Sequence, residues 1–422
     1  MKSSWRIIRR PGKINHMNVI DLFAGAGGLS EGFIQAGFKV LGHVEMDKHA
    51  SETLRTRMIY HELRKRGLEE AYKAYVKGEV TRDELIEKYD LQDIADSVLC
   101  EKIDDNYQET IRRLRGIVGE QKVDIIIGGP PCQAYSYIGR ARDTNRMQND
   151  ERNYLYKYYV EFLKAFKPKV FVFENVPGLI SAGKGQYLED MRQLMKEVGY
   201  DTDYKVLNAV DYGVPQRRRR VILIGWNKES GLKGYPLPEI VERTYKVGEI
   251  FSDLPSLQAG GGEEVSRAVK SNHLLEQLGI VGDNFDLLID HRTRPHNARD
   301  LEIYRHAVEL KSKGESLKYN DLPDRLKTHK NQKSFLDRYK VVDEDADGSH
   351  TVVAHIGKDG HYYIHPDLKQ NRSLSIREAA RLQTFPDNYK FEGSRNSRYK
   401  QIGNAVPVMF AKKIAEAIKE KL

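Results

Sequence analysis

The stretch NVIDLFAGAGGLSEGFIQAGFKVLGHVE, residues 18–45, holds the first decision about this chain. Residues 18–23 form an apolar run with one acid, the pattern of a short strand buried on both faces. Gly25, Gly27 and Gly28 then crowd a turn, and residues 29–36 have the spacing of an amphipathic helix that Gly37 ends. Residues 39–45 return to strand character. This is a βαβ opening. Further strand-like runs at 123–127, 169–174 and 221–225 extend it to a mostly parallel α/β sheet.

In an open sheet of this kind ligands gather beyond the carboxyl ends of the strands. Those ends carry the 23–28 loop, Glu45, the Pro130-Pro131-Cys132 loop and Glu174. Glycines let a backbone approach a ligand closely. Glu45, 20 residues after Gly25, is placed to accept hydrogen bonds from a ribose diol. The pair suits a nucleoside cofactor, either a dinucleotide or S-adenosylmethionine. Ser30 stands where the dinucleotide fingerprint has its third glycine.

The stretch GGPPCQAYS, residues 128–136, sets one of only two cysteines behind a Pro-Pro pair. Proline fixes φ and restricts its neighbour, so Cys132 is offered on a stiff loop. Alone, it reads equally as a small buried hydrophobe. Glu174 alone reads equally as a structural carboxylate. Together, a thiolate nucleophile and a proton-donating acid suit conjugate addition to an electron-poor ring. Gln216 is followed by Arg217, Arg218, Arg219 and Arg220, which lead into the strand at 221. Strand alternation predicts Arg218 and Arg220 on one face and Arg217 and Arg219 on the other.

The composition sets bounds. The 422 residues allow two domains, and two cysteines make a disulfide framework improbable and suit a reducing cytosol. No signal peptide and no membrane-spanning run is legible. A net charge of +8 permits a nucleic-acid partner without requiring one. Residues 48–120 are highly charged with helical periodicity, which predicts solvent-exposed helices inserted into a crossover. From 226 to 371 the periodicity dissolves into a smaller, irregular domain. Within it, residues 291–340 carry 13 Lys and Arg against 7 Asp and Glu. Asp343, Asp345 and Asp347 mimic a calcium loop, but Ala354 occupies the bidentate position. His361 and His365 have no cysteine nearby, so zinc is not expected either and no metal is assigned.

DLFAGAGGLS (21–30), GGPPCQAYS (128–136), FENVPGL (173–179), the Gln-x-Arg-x-Arg run within DYGVPQRRRRV (211–221), RSLSIREAARLQTFPD (372–387) and YKQIGNAVP (399–407) together resemble the ordered motifs of the C5-cytosine DNA methyltransferase family. The resemblance implies a Rossmann-like, S-adenosylmethionine-dependent methyltransferase sheet over 17–225, with the helical insertion at about 48–120. It also implies a target-recognition domain over 226–371 and a segment, 372–422, that returns to the catalytic domain. Cys132 would attack C6 of a flipped cytosine, and Glu174 would bind or protonate ring nitrogen 3. Arg220 would bind the carbonyl oxygen of the base, with Arg218 supporting the same pocket. The family pattern assigns the cofactor to Phe23, Ala24, Gly25, Gly27, Gly28, Glu45, Met46, Pro130, Leu155 and Asn404. Its Asp-Ile pair after the third strand falls on Asp93 and Ile94, with Asp104 as a rival. Gln133, Ser136, Arg140 and Arg142 would contact double-stranded DNA.

A restriction–modification setting, a separately acting cognate endonuclease, a monomer and a cytoplasmic, nucleoid-associated enzyme complete the expectation. Three other readings remain open from the residues. A tRNA cytosine-C5 methyltransferase would share the chemistry, and a silent relative would only bind DNA. A nicotinamide-dependent oxidoreductase would share the βαβ opening, but leaves the Pro-Pro-Cys loop and Glu174 unexplained.

Overall fold

The computed structural model describes residues 16–131, 155–242, 244–268, 272–282, 285–329 and 331–422. Its centre is a seven-stranded sheet in the order β3-β2-β1-β4-β5-β7-β6. The strands are β1 (Asn18–Leu22), β2 (Lys39–Glu45), β3 (Val98–Cys100), β4 (Ile125–Gly128), β5 (Val170–Asn175), β6 (Asp201–Asn208) and β7 (Arg219–Trp226). Strands β1 to β5 pair in parallel, while β7 runs antiparallel to both β5 and β6. Helices cover both faces, giving the Rossmann-like α/β fold expected.

The apolar runs form strands because both faces are buried. Ile126 joins Tyr159, Phe162 and Phe173 on one side. Ile125 and Ile127 join Phe33, Ile222 and Ile414 on the other. On that second side the helix Gly28–Gln35 packs on the helix Val408–Lys419. Gly28 and Gly32, four residues apart, face the contact. A Cβ on Gly28 would lie 2.1 Å from the Val406 carbonyl, and one on Gly32 would lie 2.4 Å from the Ala411 Cβ. The chain's last helix therefore touches the first almost backbone to backbone.

The segment after β2 corrects the expectation of solvated helices. Helices Lys48–Lys65, Glu69–Val76, Arg82–Tyr89 and Gln92–Asp96 bury Ile59, Tyr60, Leu63, Tyr72, Leu85 and Leu91 together. Leu287 and Ile289, on the antiparallel pair of β8 (Val265–Arg267) and β9 (Leu287–Ile289), join that cluster. The segment also contributes β3, so it completes the sheet rather than decorating it.

The described part of residues 226–371 is mostly turns, with the β8–β9 pair, the short helix His273–Gln277 between its strands and the helix Ala298–Ser312. Ile303, Tyr304, Tyr319 and Tyr339 form a core of their own. Tyr245, Ile250, Val342 and Tyr363 share one with Leu374, Phe385 and Tyr399 from the returning segment. Buried arginines fasten the junction: Arg372, oriented by Glu378, donates to the Leu257 carbonyl at 3.1 Å, and Arg381, oriented by Asp387, meets Asp253 at 2.5 Å. Among the described residues no helix is long and apolar enough to cross a membrane, and no cluster of His, Cys, Asp and Glu could hold a metal ion.

Candidate active site

The turn after β1 bends in a way few residues allow. Gly25 and Gly27 have φ of +57° and +80°, and Phe23, which has a side chain, has φ of +56°. Glu45 at the end of β2 secures the bend. Its Oε2 accepts from the Gly25 N–H at 2.8 Å and its Oε1 from the Asp47 N–H at 2.7 Å. The Ala24 N–H donates to the Val44 carbonyl at 3.1 Å. Burial pushes the Glu45 carboxyl above its ordinary pKa, against the opposing pull of these backbone donors.

Above the turn lies room. A Cβ on Gly25 would meet nothing within 4 Å. Met46, next to Glu45, leaves 59% of its surface exposed although it is apolar. Gly28 abuts Ala405 and Val406, so the exposed Asn404, at the end of the helix Arg395–Asn404, flanks the same turn. Leu155 is buried at the start of the helix Leu155–Phe166.

Asp93 and Ile94 do not belong to this group. They lie in the helix Gln92–Asp96, which precedes β3, and so sit at the amino end of that strand. Ile94 packs into the core of the inserted helices instead. The segment beside Glu45 is the one that follows β3, where the Glu101 N–H donates to the Glu45 carbonyl at 3.0 Å and Ile103 is buried. The short β3 had no legible signal, and the neighbouring helices displaced the alignment.

The second half of the site is next door, because Leu22 of β1 pairs with Gly128 of β4 and Gly128 pairs with Phe173 of β5. Glu174 forms an ion pair with Arg220 of β7, its Oε1 accepting from Nε at 2.6 Å. Both side chains are largely buried, 13% and 11% exposed. The loop leaving β4 passes directly over this pair. A Cβ on Gly129 would come within 2.7 Å of the Glu174 Oε2. Asn175, fully enclosed beside Glu174, donates its side-chain amide to the Pro130 carbonyl at 3.3 Å and holds the loop down. Cys132 follows Pro131 in the chain, and with Gln133, Ser136, Arg140 and Arg142 it lies outside the described residues.

Arg218 shares the buried side of the chain with Arg220, as alternation predicted. Its guanidinium is buried and donates to the Val352 carbonyl at 2.6 Å and to the Gly403 carbonyl. It braces the backbone at Val352 and Gly403, while Arg220 meets Glu174. Arg217 and Arg219 are exposed on the opposite side, and the residues leading into β7 are held by neighbouring segments. Gln216 bonds Leu382, Gln383 and the Val352 N–H, while the Arg217 N–H donates to Ser349. Asn175 and Gln216 were not singled out as functional positions from the sequence. Their only signal was a place inside the FENVP and Gln-x-Arg-x-Arg motifs.

The strand ends thus present two adjoining halves: an open glycine turn held by a carboxylate, and a carboxylate–guanidinium pair beneath a proline loop. The first suits a nucleoside, and the second suits polarising a planar ring. The model of the C-5 cytosine-specific DNA methylase family matches residues 17–73 and 67–420. The chain is 41% identical to the type II methyltransferase M.Bpa9945I of Bacillus paralicheniformis, over 96% of this chain and 99% of the relative. It is 31% identical to the type II methyltransferase M1.HphI of Haemophilus parahaemolyticus, over 95% and 86%. Among solved structures, a prophage-encoded chain of E. coli assigned as a DNA modification methyltransferase aligns with a TM-score of 0.63 and 22% identity, over 96% of this chain and 99% of that one. That last likeness speaks for the fold alone.

Proposed function

The chain belongs to the C-5 cytosine-specific DNA methylase family, and from that premise we propose that it moves a methyl group from S-adenosylmethionine to C5 of one cytosine in a specific sequence of double-stranded DNA. The observation that carries the reading is the Glu174–Arg220 pair, held under the Gly129–Pro131 loop and adjacent to the glycine turn.

The residues at the turn fit the donor. Each Glu45 oxygen takes one backbone N–H, which leaves lone pairs free for a ribose diol. Phe23 and Met46 offer apolar surface to an adenine. Ala24, Gly25, Gly27 and Gly28 let the backbone approach, and Pro130, Leu155 and Asn404 close the remaining sides. When bound, S-adenosylmethionine supplies an electrophilic methyl group on a sulfonium.

The chain's own residues do the rest. Stacked inside a duplex, the base is out of reach, so it must swing out at a cost of a few kcal/mol. The Cys132 thiolate then adds to C6 of the cytosine. Glu174 binds or protonates N3, so the electron pair displaced from the C5–C6 bond makes C5 nucleophilic without leaving a bare anion on the ring. Arg220 orients the Glu174 carboxylate and reaches the base carbonyl. Once C5 carries the methyl group, loss of its proton returns the electron pair to the ring and expels the thiolate. Gln133, Ser136, Arg140 and Arg142 contact the DNA around the extruded base. The basic run at 291–340, with 13 Lys and Arg against 7 Asp and Glu, supplies groove and phosphate contacts within the 226–371 stretch. The enzyme works as a monomer at the nucleoid in the cytoplasm, as the modification partner of a separate restriction endonuclease.

DNA containing 5-fluorocytosine tests this, because fluorine cannot leave as a proton does. With S-adenosylmethionine and mixed-sequence duplex, a denaturation-resistant adduct is expected, and Cys132→Ala abolishes it while retaining DNA binding. An adduct on tRNA but on no DNA would overturn the assignment, as would methyl transfer by Cys132→Ala.

A further inference from the structure

Beneath the glycine turn lies a buried polar cluster that no step of the reaction uses. The Tyr389 hydroxyl donates to the Ala26 carbonyl, in the middle of the turn, at 2.5 Å. This approach depends on Gly27. A Cβ there would lie 2.8 Å from the Tyr389 oxygen and 2.6 Å from Leu54 Cδ2. The turn is therefore seated on one side chain from the returning segment and one from the inserted helices.

Arg57 locks that seat. Its guanidinium lies 4.6 Å from the centre of the Tyr389 ring and 4.2 Å from that of Tyr60. It donates to both Glu31 oxygens, at 2.6 and 2.9 Å, and to the Asn388 side-chain oxygen at 2.9 Å. Tyr72 donates to the Asn388 carbonyl and Asn388 donates to the Tyr60 hydroxyl. His61 reaches Glu31 at 2.8 Å. Burial alone would raise the Glu31 carboxyl, but Arg57 and His61 outweigh it and hold that carboxyl well below the usual range. Each arm ends on a different element. Glu31 lies on the helix after the turn, Arg57 and Tyr60 on Lys48–Lys65, Tyr72 on Glu69–Val76, and Asn388 and Tyr389 on the returning segment.

We propose that Tyr389 is a positioning residue for the methyl donor, fixing the Ala26–Gly27 turn in its binding shape, and that the inserted helices serve that same end through Arg57. The proposal rests on the reading that this turn holds S-adenosylmethionine. Its physical basis is preorganisation. A turn with three left-handed residues has many less strained shapes, and a ligand that must select one of them binds more weakly.

The test is calorimetric titration of S-adenosylhomocysteine into the full chain and into Tyr389→Phe and Arg57→Lys, alongside steady-state methylation. Tyr389→Phe keeps the ring against Arg57 and removes only the hydroxyl. It should weaken S-adenosylhomocysteine binding and raise KM for the donor about fivefold to tenfold, the scale of one buried hydrogen bond. kcat and KM for DNA should stay within about twofold, as expected when only ground-state donor binding is lost. Arg57→Lys keeps the charge but loses the planar fork, and should shift donor affinity in the same direction. If Tyr389→Phe does not fold, Arg57→Lys decides alone. Unchanged S-adenosylhomocysteine affinity, or a fall in kcat at unchanged affinity, would overturn the proposal. A wild-type chain that binds no S-adenosylhomocysteine would instead overturn the reading on which it rests.

Discussion

Two arginines two residues apart should fail in opposite ways when truncated. Arg218→Met removes a guanidinium from a site where the residue is 1% exposed. The carbonyls of Val352 and Gly403 lose a charged donor and gain no water. Hydrogen bonds to charged groups are worth about 1.5–3 kcal/mol each, so losing the 2.6 Å bond to Val352 and the longer contact with Gly403 should cost about 2–4 kcal/mol. Arg220→Met breaks a 2.6 Å pair whose members keep some contact with solvent, 11% and 13% exposed. Screening and rehydration of Glu174 should limit that cost to about 1–2 kcal/mol. Activity should rank the other way. Arg220 touches the carboxylate proposed to handle the base, and on that proposal its loss should lower kcat about a hundredfold or more, in the range of a misplaced acid–base group. Arg218→Met, assayed below its unfolding transition, should keep most of its kcat. Urea denaturation and methyl incorporation on the same preparations give both rankings. If folded Arg218→Met were inactive while Arg220→Met remained active, the division of labour drawn here would be wrong.

Two further outcomes follow from packing and burial. Gly32→Ala should lower the urea midpoint. Helix propensity favours alanine by about 1 kcal/mol, but the new Cβ would fall 2.5 Å from the Lys412 N and 2.4 Å from the Ala411 Cβ, and overpacking of this kind costs about 1–3 kcal/mol. A stabilised variant would show that the helices part freely. His350, stacked on Tyr363 and bonded to the Tyr362 carbonyl, is pushed down to about 4 by burial and by Lys340. Below its unfolded value of about 6.5 only the unfolded chain takes the proton, so stability is lost as pH falls toward 4, by about 1 kcal/mol between pH 6.5 and 5.5. His350→Gln should remove that share of the pH dependence in denaturation at pH 7.5 and 5.5, and identical dependences would refute it.

The strands that the sequence made legible are those buried on both faces. Ile125 to Ile127 and Val170 to Phe173 could be little else, and they carry Glu174 and the proline loop at their ends. β6 was missed because it is an edge strand whose residues, DTDYKVLN, are mostly half exposed and carry no apolar alternation. β3 was missed because three residues give no period. The same gap misplaced Asp93 and Ile94. Within the site, Glu45 was readable from its distance to Gly25, since a βα turn and the next strand end are joined by fixed geometry. Alternation correctly put Arg218 and Arg220 on the buried side, but it could not tell that Arg218 is taken up by the Val352 and Gly403 carbonyls while Arg220 meets Glu174. Tyr389 and Arg57 were invisible, for their partners lie hundreds of residues apart or on another element. Such contacts are made by the fold and leave no local period.

The helix Val408–Lys419, lying against Gly28–Gln35, sets a schedule for synthesis. Phe33 leaves the ribosome roughly 380 residues before Phe410 and Ile414, which shield it. At about 5–20 residues per second the delay is roughly 20–75 s, during which a greasy face waits uncovered. That side of the sheet therefore cannot close over its first helix until Val408–Lys419 has been made.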